Sequence, residues 1–254
     1  MRAKSSTSTS RSWDARTIRL HVAAAALLEY IKEEAFSFLR AHPTAFEGEL
    51  LRFVKGRFKG NELVTDRPLI IAFGPSAAKP HYSPKGKGRR LRRGMMIKVD
   101  IWGRLRERGA PFADITWMGF SGRALPAKAH RVFGIVIAAR DAALALARRR
   151  LREGRLPTGA ELDGAARGLI AREGFGKRFI HRTGHCLGFT SPHGIFKGLR
   201  SSNTDPIHVS LPYTIEPGIY LPGEFGVRSE IDFYIDAKRE LVVTTPMQRS
   251  IIMV

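Results

Sequence analysis

Residues 180–194 read IHRTGHCLGFTSPHG, and residues 213–235 read YTIEPGIYLPGEFGVRSEIDFYI. The first run holds His185 and His193, and the second holds Glu216 and Glu230. Short apolar runs rich in β-branched and aromatic residues and punctuated by Gly and Pro read as strands. Strands are therefore predicted around His185, over 213–220 and over 227–235. Upstream, MIKVD ends at Asp100 and FADITW contains Asp114, again in apolar, strand-like settings. An ionised carboxylate in an apolar strand is costly to bury without a partner or a metal. Four of them need a common explanation.

Working outward, the order of elements repeats. A helix is predicted over 14–41, with Ile18, Val22, Ala25, Ala26, Ile31, Ala35, Phe38 and Leu39 near a 3.6-residue period and Pro43 as its stop. Thr44 and Glu47 have capping-box spacing and open a second helix to about Phe58. Strands follow over 69–73, 95–102 and 112–119, with a turn region over 103–111. The pattern then restarts. A long helix is predicted over 126–152, and Thr158 with Glu161 caps another that ends near Gly174. Asp100 to Asp114 is a spacing of 14, and so is Glu216 to Glu230; the two pairs lie 116 residues apart. Matched spacing at a constant offset is the mark of an internal duplication. The expected organisation is a basic tail over 1–13 and one catalytic domain over 14–254, with pseudo-repeats over about 14–125 and 126–250. Pairing the repeats about a pseudo-two-fold axis sets four carboxylates around one centre.

Bulk properties narrow the class. Of 254 residues, 43% are apolar, enough for one large core or two fused halves. No apolar run reaches membrane-spanning length. The one cysteine, Cys186, leaves no internal disulfide. A cytoplasmic location fits that usage. The net charge is +20. The densest run, KGKGRRLRR over 85–93, lacks interleaved aromatics and matches no nucleic-acid motif. It reads as a solvated basic loop or a device for steering anions, and specific nucleic-acid binding is disfavoured.

One imidazole and four carboxylates suit two divalent ions of hard to borderline character: Mn first, with Co, Fe or Zn also compatible. Such a pair acidifies a water and polarises a carbonyl. That chemistry makes a hydrolase acting on peptides.

The same residues resemble a known family. VD at Asp100, ADIT at Asp114, TGH at His185, IEPGIY at Glu216 and GVRSE at Glu230 look like the M24 metallopeptidases, over most of the chain. The resemblance implies the α+β "pita-bread" fold: a curved antiparallel sheet backed by helices in two pseudo-symmetric halves. It implies that Asp100 binds one ion, that Asp114 and Glu230 bridge, and that His185 and Glu216 bind the other. Glu216 is also the implied proton shuttle. His81 in KPHY and His193 in SPHG match family histidines that contact substrate, which makes His81, His193 and Glu216 the implied catalytic set. PGIY and Arg228-Ser229-Glu230 look closer to the Xaa-Pro aminopeptidase and prolidase branch than to methionine aminopeptidases. The implied activity removes an N-terminal residue or splits dipeptides, Xaa-Pro-directed. The alternatives are methionine aminopeptidase and a non-catalytic M24-like module that binds protein or RNA. A peptide substrate and a homodimer are the implied partners. Three departures stand out: a longer turn between Asp100 and Asp114, Trp117 where arginine is common, and one extra residue between His185 and His193.

Among the remaining residues, Cys186 should face away from His185 as a small buried hydrophobe. Arg228 should fix the Glu230 carboxylate. Trp102, Trp117 and Phe120 should pack the core or wall the pocket. His21, His42, His130, His181 and His208 carry no assigned role.

Overall fold

The computed structural model describes residues 12–254. The tail expected over 1–13 therefore lies mostly outside the described residues, and its last member does not behave as tail. Trp13 is buried and its amide donates to the Ser210 carbonyl.

Helix α1 (Ala15–Ala41) starts where the Asp14 side chain accepts the Thr17 amide at 2.7 Å. It ends at His42, just before Pro43. Its buried face runs through Ala24, Ala25, Leu28, Ile31, Ala35, Phe36 and Leu39. That face is rotated from the predicted one: Val22 and Ala26 point outward, while His21 and Lys32 point inward. Both polar residues are accommodated. Lys32 pairs with Glu29 and Glu33, and its Nζ lies 3.6 Å from the centre of the Trp117 ring. His21 hydrogen-bonds the Phe112 carbonyl and the Thr244 hydroxyl, at 3.0 and 2.8 Å.

Burial lowers the His21 pKa from 6.5 to about 4. The unfolded chain therefore takes the proton first as pH falls. This residue's contribution is complete above about pH 6.5 and is lost toward pH 4, by up to about 3 kcal/mol. We expect His21→Phe to flatten the fall of unfolding free energy between pH 6.5 and 4, even though the variant starts less stable. An unchanged slope would show that His21 does not carry it.

Helix α2 (Glu47–Gly60) begins two residues later than the Thr44 box predicted, with Phe46 and not Thr44 as its N-cap. The Phe46 amide donates to Glu49 at 2.8 Å, half of a capping box two residues along. Glu47 is needed elsewhere: buried, it accepts the Phe73 and Arg89 amides and the Tyr82 hydroxyl. Strands β1 (Leu63–Val64), β2 (Ile70–Phe73), β3 (Met96–Leu105) and β4 (Ala113–Phe120) follow. Helices α3 (Ala127–Arg152) and α4 (Gly159–Arg172) open the second half, and the Thr158–Glu161 capping box forms in full.

The second half then breaks where continuous strands were predicted. The segment around His185 is loop, carrying only the isolated bridges Gly184–Leu199 and Cys186–Tyr213. The 213–220 run splits into β5 (Tyr213–Ile215) and β6 (Gly218–Leu221). The 227–235 run splits into β7 (Phe225–Arg228) and β8 (Ile231–Ile235), followed by β9 (Leu241–Val243) and β10 (Ile252–Met253). Pro217, without an N–H, interrupts the first ladder. Glu216 and Glu230 thus sit at strand breaks rather than within strands.

The sheets are β1-β3-β4-β10 with β2 also on β3, then β5-β8-β9, then β6-β7. Pairing is antiparallel except between β10 and β4. A bridge from Thr116 to Glu230 ties the first sheet to the second half. Helix α1 lies on β3 and β4, and α3 lies on α4 and on β7. One apolar core gathers between α1, α2 and β2–β4, and another between α3, α4 and β5–β8. This is the α+β pita-bread arrangement, with the site between the halves. No helix among the described residues is long and apolar enough to cross a membrane.

Candidate metal centre

Strand register sets the first two acids. Asp100 stands opposite Thr116, and Trp102 opposite Asp114. Side chains on paired strands share a face at even offsets, so Asp100, Asp114 and Thr116 face the same way. The Thr116 hydroxyl donates to Glu230 Oε2 at 2.7 Å, which draws the second half onto that face.

Backbone bonds around the breaks aim the other groups. The Glu216 amide donates to the Thr183 carbonyl at 2.7 Å, and the Glu230 amide to the Thr116 carbonyl at 3.4 Å. His185 receives the Thr214 amide on its own carbonyl at 2.8 Å and donates its amide to the Thr214 hydroxyl at 3.1 Å. His185 Nδ1 lies 3.1 Å from the Cys186 carbonyl. A carbonyl only accepts, so Nδ1 carries the proton and Nε2 presents a lone pair. Nε2 lies 3.5 Å from Glu216 Oε1 and 3.7 Å from Asp114 Oδ2. Cys186 points the other way, into the apolar core, as expected.

The close backbone approach beside His185 depends on Gly184. A Cβ there would sit 1.9 Å from the Thr214 carbonyl oxygen. We expect Gly184→Ala to push this strap off β5, costing at least about 2 kcal/mol of stability. Thermal unfolding and bound-metal content should fall together, and a variant unchanged in both would contradict the packing.

Asp114, His185 and Glu230 offer ligand atoms that all lie within 4.8 Å of one another. Asp100 and Glu216 line the same cavity, of about 600 Å³, with His81 and His193 at its edge. These two acids are held by Arg228, whose Nη2 contacts Asp100 Oδ2 and whose Nη1 lies 3.3 Å from Glu216 Oε2. Arg228 also acts on Glu230 through its charge, as the sequence suggests, while its direct contacts go to Asp100 and Glu216. The longer gap before His193 is absorbed by loop, and its ring stands edge-on to His185 at 4.3 Å.

Burial, reinforced by the charges of Glu230, Asp232 and Glu216, raises the Asp114 pKa well above its ordinary value. Burial and the Glu230 charge do the same to Glu216. Burial raises Glu230, against the pull of Arg228 and Thr116. Burial also lowers His185 well below its ordinary value, with His193 and Arg182 adding to it. The carboxylates resist ionising and the imidazole stays neutral. Asp114 Oδ1 is buried without a hydrogen-bond partner. Buried acids beside a lone pair, one of them with an orphaned oxygen, are a donor set that a divalent cation satisfies.

Sequence reasoning missed several contributors. Asp232 is fully buried and accepts the Asp114 amide on Oδ2 at 2.9 Å, fixing the backbone of that acid. The alternation Glu230-Ile231-Asp232 was its signal. Buried Lys98 reaches the carbonyls of Ala77, Lys79 and Pro80, which sets the loop that carries His81. His181 hydrogen-bonds the Tyr220 hydroxyl at 2.7 Å. Arg182 lines the cavity. Local sequence does not mark Lys98 or His181, whose partners Ala77 and Tyr220 lie 21 and 39 residues away.

This fold and donor set define a metallopeptidase-type architecture. The model of metallopeptidase family M24 matches residues 19–237, and the chain belongs to that family. An uncharacterized peptidase of Staphylococcus aureus is 31% identical over 225 residues, covering 87% of this chain and 59% of its own length. The X-Pro aminopeptidase of Thermotoga maritima superposes with a TM-score of 0.83 at 27% identity, over 96% of this chain and 65% of that one. The prolidase of Thermococcus sibiricus superposes with a TM-score of 0.80 at 28% identity, over 96% and 62%. The chain thus spans about six-tenths of the length of these relatives.

Proposed function

We propose that this chain is a dinuclear metal-dependent peptidase that removes an N-terminal residue or splits dipeptides, directed to Xaa-Pro bonds. One observation carries the reading: Asp114, His185 and Glu230 converge within 4.8 Å beside Asp100 and Glu216. The likeness to an X-Pro aminopeptidase and a prolidase supports the choice of bond.

Asp100, Asp114, His185, Glu216 and Glu230 would hold two divalent ions, Mn first among those the oxygen-rich set accepts. When bound, the ions supply Lewis acidity toward the scissile carbonyl and make a water acidic near neutral pH. Glu216 takes the proton of the attacking water on a carboxylate oxygen and delivers it to the leaving amine. Burial and nearby arginines lower His193 to about 4, so it is neutral at pH 7 and donates an N–H to the developing oxyanion. His81 sits at the cavity edge to contact the substrate. Arg67, Arg182 and Arg200 line the same cavity and suit the free carboxylate of a short peptide. Residues 14–254 form the catalytic domain in two pseudo-repeats, and a cytoplasmic homodimer completes the reading.

The test strips metal, reloads Mn, Co or Zn separately, and offers Xaa-Pro dipeptides, Xaa-Pro-Xaa peptides and Met-initiated peptides. Metal-restored cleavage of the Xaa-Pro class supports the proposal. Cleavage confined to Met-initiated peptides selects the methionine aminopeptidase branch. Absence of metal binding points to a non-catalytic module.

A further inference from the structure

A second cavity, larger than the metal centre, opens where the chain enters β3. It measures about 880 Å³, and its walls carry Arg40, Arg90, Arg92, Arg93 and Arg123. No side chain lining it is acidic or aromatic. It shares no residue with the metal centre. From Gly94 to Asp100 the chain runs six residues, mostly as strand, so the two sites lie on the order of 20 Å apart along β3.

The cleft is built rather than frayed. The Leu91 amide donates to the Ala45 carbonyl, the Gly94 amide to the Ser121 carbonyl, and the Ser121 amide to the Met95 carbonyl. Arg90 Nε donates to the Thr44 carbonyl at 3.2 Å, and Arg40 Nη2 to the Ser37 hydroxyl at 3.1 Å. Arg92, Arg93 and Arg123 are exposed and form no ion pair with a carboxylate among the described residues. Elsewhere on this basic surface arginines do find acids: Arg57 pairs with Glu34, Arg150 and Arg155 with Glu161, and Arg167 with Asp163. Gathering five guanidinium groups with no Asp or Glu side chain among the lining residues raises the local positive potential, and an anion relieves it.

We propose that this cleft is a binding site for a compact anion carrying several linked phosphate groups. Guanidinium forks match phosphate oxygens two at a time, and several together favour a ligand of high charge density. A volume of this size falls in the range of small-ligand sites. The absence of aromatic walls removes the stacking platform a nucleic-acid strand would use, so recognition rests on phosphate alone. The basic run over 85–93, which has no part in the metal centre, supplies three of the five arginines.

The probe is inorganic tripolyphosphate, titrated calorimetrically into the full protein, with citrate and a short single-stranded RNA as comparison ligands. One variant carries Arg92→Gln, Arg93→Gln and Arg123→Gln. A control carries Arg148→Gln, Arg149→Gln and Arg152→Gln at the exposed end of α3, removing the same charge elsewhere. We expect saturable tripolyphosphate binding, weakened at least tenfold in the first variant and little changed in the control, with peptide turnover equal in all three proteins. Equal weakening in both variants would overturn the proposal, since net charge alone would then explain binding, and so would the absence of saturable binding. Citrate binding as tightly would overturn the phosphate assignment. Cleft-dependent RNA binding that tripolyphosphate fails to displace would overturn it in favour of a nucleic-acid strand.

Discussion

Glu216→Gln should leave a folded protein whose peptide turnover falls roughly a thousandfold, the scale of a positioned general acid–base group. The side chain meets three groups at once. Its Oε1 lies 3.5 Å from His185 Nε2 and accepts the Thr214 hydroxyl at 3.4 Å, and its Oε2 lies 3.3 Å from Arg228 Nη1. Glutamine keeps the volume and one acceptor for Arg228, and it removes the charge that burial already disfavours. The fold therefore persists. What is lost is a carboxylate lining the proposed metal site and, with it, the proposed proton carrier. The measurement is kcat at saturating substrate alongside bound metal per chain and the circular dichroism spectrum. Turnover near that of the parent, with metal retained, would remove Glu216 from the proton path.

The second large effect concerns stability. Arg228 is buried and faces both Asp100 and Glu216. Taking one member from a buried ion pair leaves uncompensated charge and costs about 3–5 kcal/mol. Arg228→Met, which keeps an unbranched apolar stem, should lose that much in metal-stripped protein. With Mn added the loss should shrink markedly if the same acids hold ions as proposed, because those ions would take over the compensation. Denaturant titrations with and without chelator measure the difference directly. An equal loss in both conditions would mean that Arg228 acts through packing and not as a cation shared by the two carboxylates. Pro80 gives a further reason to expect lower activity even when metal restores stability. Its carbonyl also contacts Arg228 Nη2, at 3.4 Å, one residue before His81.

Much of this arrangement was legible in the chain. Local signals marked the helices: Pro43 as a stop, and Thr158 with Glu161 as a closed box. The β3–β4 hairpin followed from two apolar runs and a turn, and its register placed Asp100 and Asp114 on one face. The equal spacing of the two acid pairs pointed to repeated halves before any contact was known. Errors arose where a residue served a distant partner. Glu47 looked like the acid of a capping box, yet it is spent on the Phe73 and Arg89 amides and the Tyr82 hydroxyl. His21 and Lys32 broke the apolar period of α1, yet the buried face runs through them because each finds a partner in the core.

By itself, the sequence determined which residue types could serve as ligands, where α1, α3 and α4 begin, and which strands run beside one another, because spacing, caps and alternation act over a few residues. Tertiary structure alone decided that Glu230 lies at a strand break, that Arg228 turns to Asp100 and Glu216, and that Asp232 braces Asp114. Those outcomes depend on hydrogen bonds and charge contacts across more than a hundred residues, such as Asp114 to Asp232 and Asp100 to Arg228. Such contacts leave no periodic trace in the chain, since their energies exist only once the two halves have closed on one another.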